Sequence, residues 1–239
     1  YIEEAILLAN YKVDFSKYGA LLIINDPSNS PSANGPAFSS NNPSNGIPVD
    51  GTIINNVATS GRDLRAWAKG LWFCHEFGHN LGLIDLYRYG NISGHAYVGD
   101  YSIMGNIAGL APEYLGWERW LLGWLNENQV VCQSDVGNGS VTLSPIETKG
   151  GIKLLTIPID QNSTMVVESR RKLGYDKTLV KEGPLVYVVD ASLASGNGAI
   201  KVLPITETDD KKLKAPMNVS QSLTYKNITI TYTSKGNDG

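Results

Sequence analysis

Two periods of apolar and polar positions run along the 239-residue chain, one in each half. The run "YGALLIIND" (18–26) is apolar and closes on Asp-Pro, which predicts a buried strand. Residues 27–51, "PSNSPSANGPAFSSNNPSNGIPVDG", are rich in Pro, Ser, Asn and Gly and predict one long loop. "TIINNVATS" (52–60) predicts a second strand, at a sheet edge. Ser60 and Asp63 fit a capping box. Beyond them Leu64, Trp67, Ala68, Leu71, Gly78 and Leu81 recur at helical spacing, which predicts a helix over 62–81 that ends at Gly82. "PEYLGWERWLLGWLNE" (112–127) carries a second helical period and starts with a proline suited to a first turn. After Asn138 the pattern turns strand-like in "SVTLSPI", "IKLLTIPI", "TMVVESR", "PLVYVVD" and "NITITYTS". Residues 206–217, "TETDDKKLKAPM", predict an exposed loop. The class is therefore α+β. The expected organisation is a core over 1–132, with a β-rich region over 138–239 packed on it.

Composition narrows the function classes. Apolar residues make up 42% of the chain, enough for a sizeable core. The formal charge is −3 with no long basic run, so neither nucleic acid nor an anionic membrane is expected as a partner. No window reaches the length of a membrane span; "EEAILLAN" is short and carries two acids. No signal peptide is visible ahead of Tyr1, which points to a processed or trimmed form. Five N-x-[ST] sequons, at Asn91, Asn138, Asn162, Asn218 and Asn227, lean towards a secreted protein. Two cysteines, Cys74 and Cys132, leave one bridge or two thiols open, and the expected arrangement is a disulfide between them.

The candidate chemistry lies in "LWFCHEFGHNLGLIDLYRYG" (71–90). Residues four apart share a helix face, so His75 and His79 can offer imidazoles to one ion. Glu76 is rotated by roughly a quarter turn. It is poorly placed as a ligand but can reach a water held on the metal, the geometry of H-E-x-x-H. A catalytic zinc needs a third protein ligand and an open position. Gly82 permits a sharp turn, and the next donor is Asp85, giving H-E-x-x-H-x-x-G-x-x-D. Chance supplies H-E-x-x-H in roughly one such chain in a hundred, and the added glycine and acid lower that about another hundredfold. Two core histidines with no metal are the weaker alternative. Cys74 points about a quarter turn from the metal face and is not expected to be a ligand.

The zinc motif followed by "DYSIMGN" resembles a metzincin metallopeptidase. "CHEFGHNLGLIDLY", "WERWLLGWL", "VVESRRKLGYDKTLVKEGPLVYVVD" and "YKNITITYTS" resemble segments of one branch, the immune inhibitor A-type peptidases. The resemblance spans about Val13 to Thr233. It departs from the family at Ile84, where proline is frequent, and in a short upstream region. It implies a metzincin-like core with an active-site helix, a zinc ion on His75, His79 and Asp85, and Glu76 as general base. It also implies a tight turn around Met104 beneath the metal, and a tyrosine at the oxyanion, for which Tyr87, Tyr101 and Tyr114 all stand near. Protein or peptide substrates follow. A substrate strand is expected to bind by β-augmentation, with "TIINNVA" as the candidate edge.

Several residues take plainer readings. His95 is expected to be a surface or core histidine, and Asp190 a turn acid. Glu168, Arg170 and Arg171 are expected at a solvated or paired strand end. Trp117, Trp120 and Trp124 are expected to pack in the core rather than form a sugar platform. A structural Ca2+ is compatible with an exported peptidase, but no loop of alternating oxygen donors assigns its residues. The leading function is a secreted zinc endopeptidase. The alternatives are a catalytically silent protein- or glycan-binding module with a structural zinc, and a zinc hydrolase acting on other bonds. Glu76 favours the enzyme, because a structural site needs no glutamate beside its first ligand. Oligomeric state and cleavage preference leave no mark in the sequence.

Overall fold

The computed structural model describes all residues except 31–33, 66–69, 91–94, 136, 207–210 and 237–239. It is a mixed α+β chain divided into two compact units, Tyr1–Leu83 and Ile84–Gly239. No helix among the described residues is long and apolar enough to cross a membrane. The described sequon asparagines 138, 162, 218 and 227 are all exposed, and Asn91 lies outside the described residues.

The first unit opens with helix α1 (Ile2–Ala9), which turns Ile2, Ile6 and Ala9 inward at helical spacing. They meet Phe15, Val57 and Phe38 in one apolar cluster. Strand β1 (Leu21–Ile23) forms where expected but is half-exposed, with Leu22 open to solvent, because only one of its faces is covered. The segment read as one loop contains two strands, β2 (Ala37–Ser39) and β3 (Ile47–Val49). β3 pairs with β4 (Thr52–Ile54) across Asp50-Gly51, both at positive φ, as a two-residue hairpin turn demands.

"TIINNVATS" gives β4 and then β5 (Asn56–Thr59), and β5 is not an edge. It lies between β1, parallel to it, and β2, antiparallel to it. Its Val57 and Ala58 are fully buried, as a central strand requires. The expected 62–81 helix is shorter. Residues 62–65 form a 3-10 turn, 66–69 lie outside the described residues, and helix α2 runs Leu71–Asn80.

In the second unit the expected helix over 112–127 reduces to α3 (Gly116–Leu121). Its buried positions are Gly116 and Glu118. The tryptophans are not core: Trp117 and Trp120 are half-buried, pairing edge-to-face at 5.3 Å, and Trp124 is 55% exposed. The dominant feature is a five-stranded sheet. It uses β6 (Val130–Cys132), β7 (Leu154–Pro158), β8 (Ser163–Arg170), β9 (Gly183–Asp190) and β10 (Ile200–Val202) in the order β10-β9-β8-β7-β6. All neighbours are antiparallel except β6 and β7. A hairpin of β11 (Ser222–Tyr225) and β12 (Ile228–Thr231) joins Met165, Val167, Val186 and Met217 in an apolar cluster. The predicted strand at 140–146 contributes only an isolated bridge at Pro145. The segment read as an exposed loop over 206–217 turns inward at its end, where Ala215 and Met217 are buried.

The other face of β8 carries Val166, Glu168 and Arg170, at the strand period of two. Glu168 and Arg170 are fully buried and paired, not solvated. Arg170 reaches Glu168 at 2.6 Å, Asp176 at 2.7 Å and the Tyr101 carbonyl at 2.8 Å. Glu168 also accepts from Gly116 N–H and the Tyr187 hydroxyl. Nearby, Glu118 accepts from Leu115 N–H and the Ser102 hydroxyl, both at 2.8 Å. Burial raises the Glu118 carboxyl to about 7, against the pull of those two donors. The folded chain therefore keeps a proton that the unfolded chain releases from its ordinary value of 4.5 upwards. This stabilisation is full below that value and is lost as the pH rises to about 7. Glu118→Gln is neutral throughout. Urea melts at pH 5 and pH 8 should show the wild type gaining on the variant at the lower pH; an equal difference at both would refute the shift.

No disulfide joins Cys74 and Cys132. Cys74 sits on the solvent side of α2 and Cys132 ends an outer strand of its sheet. Both thiols are exposed, so the expected bridge is corrected.

Candidate metal centre

Helix α2 presents two adjacent rows of side chains to its surroundings. One row, at intervals of four, is tied to the backbone of residues 35–38. Trp72 Nε1 donates to Gly35 O at 2.9 Å, Glu76 Oε2 accepts from Ala37 N at 2.8 Å, and Asn80 Nδ2 donates to Phe38 O at 3.0 Å. The neighbouring row is His75 and His79, whose rings meet edge-to-face at 4.9 Å. His75 is only 4% exposed.

The helix ends where the sequence places its glycine. Gly82 stands at φ +97°, a conformation a side chain would strain, and its N–H closes on His79 O at 3.0 Å. The next N–H, from Leu83, returns to Gly78 O at 2.9 Å. This reversal brings Leu83 O to within 2.9 Å of His79 Nδ1. A carbonyl can only accept, so Nδ1 carries the proton and Nε2 is left as the ligand atom. Orientation of a ligating histidine by its second nitrogen is the usual arrangement in metal sites.

Asp85 follows at the spacing the motif requires. His75, His79 and Asp85 each offer one ligand atom, and these atoms lie within 4.8 Å of one another. Two imidazoles and a carboxylate with a correctly set tautomer form a donor set that suits zinc, and the three residues fit such an ion. Glu76 stands next to His75 on the helix but outside that group.

Asp85 is 9% exposed and held by residues that the sequence did not single out. The Tyr89 hydroxyl donates to Asp85 Oδ2 at 2.5 Å. Ser195 Oγ lies 2.8 Å from the Tyr89 oxygen and accepts from Asp85 N–H at 3.0 Å. Tyr89, four residues past Asp85, could have been noticed from its place in "DLYRYG"; Ser195 carries no sequence signal. Beyond Asp85, Leu86 N–H donates to Met104 O at 2.9 Å, which ties the Met104 turn to the segment that carries the carboxylate. Met104 is fully buried, and its N–H donates to Ser102 Oγ.

The three tyrosines considered from sequence separate here. Tyr101 is fully buried with its hydroxyl on Leu213 O, and Tyr114 packs on Trp124. The Tyr87 ring lies tilted against that of Tyr89, with centroids 5.5 Å apart. His95 places Nδ1 3.2 Å from Gly105 O, the ordinary satisfied histidine expected. Asp190 caps the turn after β9 by accepting from Ser192 N–H and hydroxyl.

The chain matches no family model, no curated protein and no solved structure.

Proposed function

We propose that the chain is a secreted, zinc-dependent endopeptidase of metzincin-like architecture, with His75, His79 and Asp85 as metal ligands and Glu76 as general base. The observation that carries this is the three-donor group with Glu76 beside it on the same helix. A zinc ion held there would polarise a substrate carbonyl and lower the pKa of water. Glu76 takes the proton from the attacking water and returns it to the leaving amine. Its Oε2 accepts from Ala37 N–H, which restrains the carboxylate on the helix. His79 keeps its Nε2 lone pair outward through the Leu83 carbonyl.

That same bond to Ala37 supports the rival reading, in which Glu76 only straps β2 to the helix and the site is structural. Metal analysis and a substrate panel test the proposal. Protein purified without chelator should carry one zinc per chain and cleave unfolded casein, but not small esters alone. Exhaustive chelation should abolish cleavage, and added zinc should restore it. A preparation with no tightly held transition metal sinks the proposal.

A further inference from the structure

Asp85 closes a hydrogen-bond circuit on itself. Its backbone N–H donates to Ser195 Oγ at 3.0 Å. The Tyr89 hydroxyl must donate to the carboxylate Oδ2 at 2.5 Å, because an ionised carboxylate can only accept. That spends the single Tyr89 proton. The 2.8 Å contact between the two hydroxyls is therefore Ser195 donating to Tyr89. The direct route from Ser195 to Oδ2 is longer, at 3.4 Å. The result is a one-way ring: Asp85 N–H to Ser195, Ser195 to Tyr89, Tyr89 to Asp85 Oδ2. Each donor in such a chain polarises the next.

The backbone reinforces the ring. Gly196 N–H donates to Asp85 O at 3.1 Å, and Tyr89 N–H donates to Gly196 O at 3.3 Å. Gly196 stands at φ +71°, and a Cβ there would lie 2.3–2.6 Å from three atoms of the Tyr89 ring. The aromatic ring thus rests against a position that admits only glycine.

We infer that Tyr89 and Ser195 are positioning residues for the metal centre, holding Asp85 through Oδ2 so that it serves as a one-oxygen ligand. This rests on the metal reading proposed above. A carboxylate that gave both oxygens would fill the position a catalytic zinc keeps open. A strong donor on Oδ2 makes that oxygen the poorer ligand and stops the carboxylate from swinging. Partners of this kind are typically worth 10–100-fold in metal affinity.

The test uses the full chain with Tyr89→Phe, Ser195→Ala and the double variant, each checked for folding by circular dichroism without metal. Zinc affinity is measured by competition with a chromogenic chelator, and the visible spectrum is recorded after substitution with Co2+. Each single variant should lose about 10–100-fold in zinc affinity. The double variant should lose little more than Tyr89→Phe, because Ser195 acts through Tyr89. The intense cobalt bands of a four-coordinate site should weaken in the variants as Asp85 gains freedom to bind through both oxygens. Gly196→Ala, which displaces the ring without touching a hydroxyl, should behave like Tyr89→Phe. Unchanged zinc affinity and cobalt spectra in Tyr89→Phe and Ser195→Ala would overturn the inference while leaving the metal site intact. Additive losses in the double variant would overturn the ring and leave two independent contacts. Failure of the wild type itself to bind zinc would remove the metal reading and this inference with it.

Discussion

If the chain is the proposed zinc peptidase, Glu76→Gln should lower peptide hydrolysis by about 10²–10⁴-fold, the range that general acid–base catalysis supplies, and should leave zinc content and melting temperature near wild type. The amide has the size of the acid, and its oxygen can still accept from Ala37 N–H, so the strap between α2 and β2 survives. It cannot take up a proton at neutral pH. His79→Ala should give the opposite pattern, losing the metal together with activity, because it removes a member of the candidate donor group. The two variants separate chemistry from metal retention, and a zinc assay, a melting curve and a quenched-peptide assay on each suffice. Near-normal turnover in a folded, zinc-loaded Glu76→Gln would end the peptidase proposal and favour the strap.

Arg170→Met costs about 3–5 kcal/mol of stability, as breaking a buried ion pair on one side typically does. The guanidinium is fully buried between Glu168 and Asp176 and also donates to Tyr101 O. Removing it leaves two carboxylates without their cation in the centre of the second unit. Arg170→Lys should recover little, because an ammonium cannot reproduce three directed contacts from one planar fork. A useful contrast is Lys226→Ala, which breaks a solvent-screened pair with Asp160 that is half-exposed on both sides and should leave the urea midpoint close to wild type. Urea unfolding of the three variants at one pH decides the matter. A value for Arg170→Met inside the range of Lys226→Ala would show that the buried cluster contributes nothing net.

Local information was legible, and long-range information was not. The placement of His75 and His79 on one face follows from helical spacing alone. The turn to Asp85 follows from one glycine, since both are decided within a dozen residues. Strands β8 and β9 were visible because their eight-residue runs are long enough to show a pattern. β2, β3 and β10 have three residues each, too few for any period, and they exist because a neighbour pairs with them. The sequence left Glu168 and Arg170 as a solvated or a paired strand end, and the pair is what forms, but buried, where charge in a sequence normally marks solvent. Their burial depends on Asp176 and Tyr101, which the sequence does not connect to them. The tryptophans of α3 misled in the other direction: the helix turns its glycine and its glutamate inward, towards that polar cluster. Tyr89 lies within reach of Asp85 in sequence, but Ser195 stayed hidden because only folding places it beside them.

The contact between Asp85 and Ser195 spans 110 residues of chain, and that separation orders the events of folding. Helix α2 and its two imidazoles need only local contacts and can form on the time scale of a helical turn. The carboxylate gains its setting only when a loop of that length has closed, and closure of distant contacts is the slow part of folding a β-rich topology. During refolding an ion would first meet a bidentate histidine pair and only later a complete, rigid site. If the site holds a metal as proposed, tight retention is then a late event, a report that the β9–β10 connection of the second unit has reached Asp85.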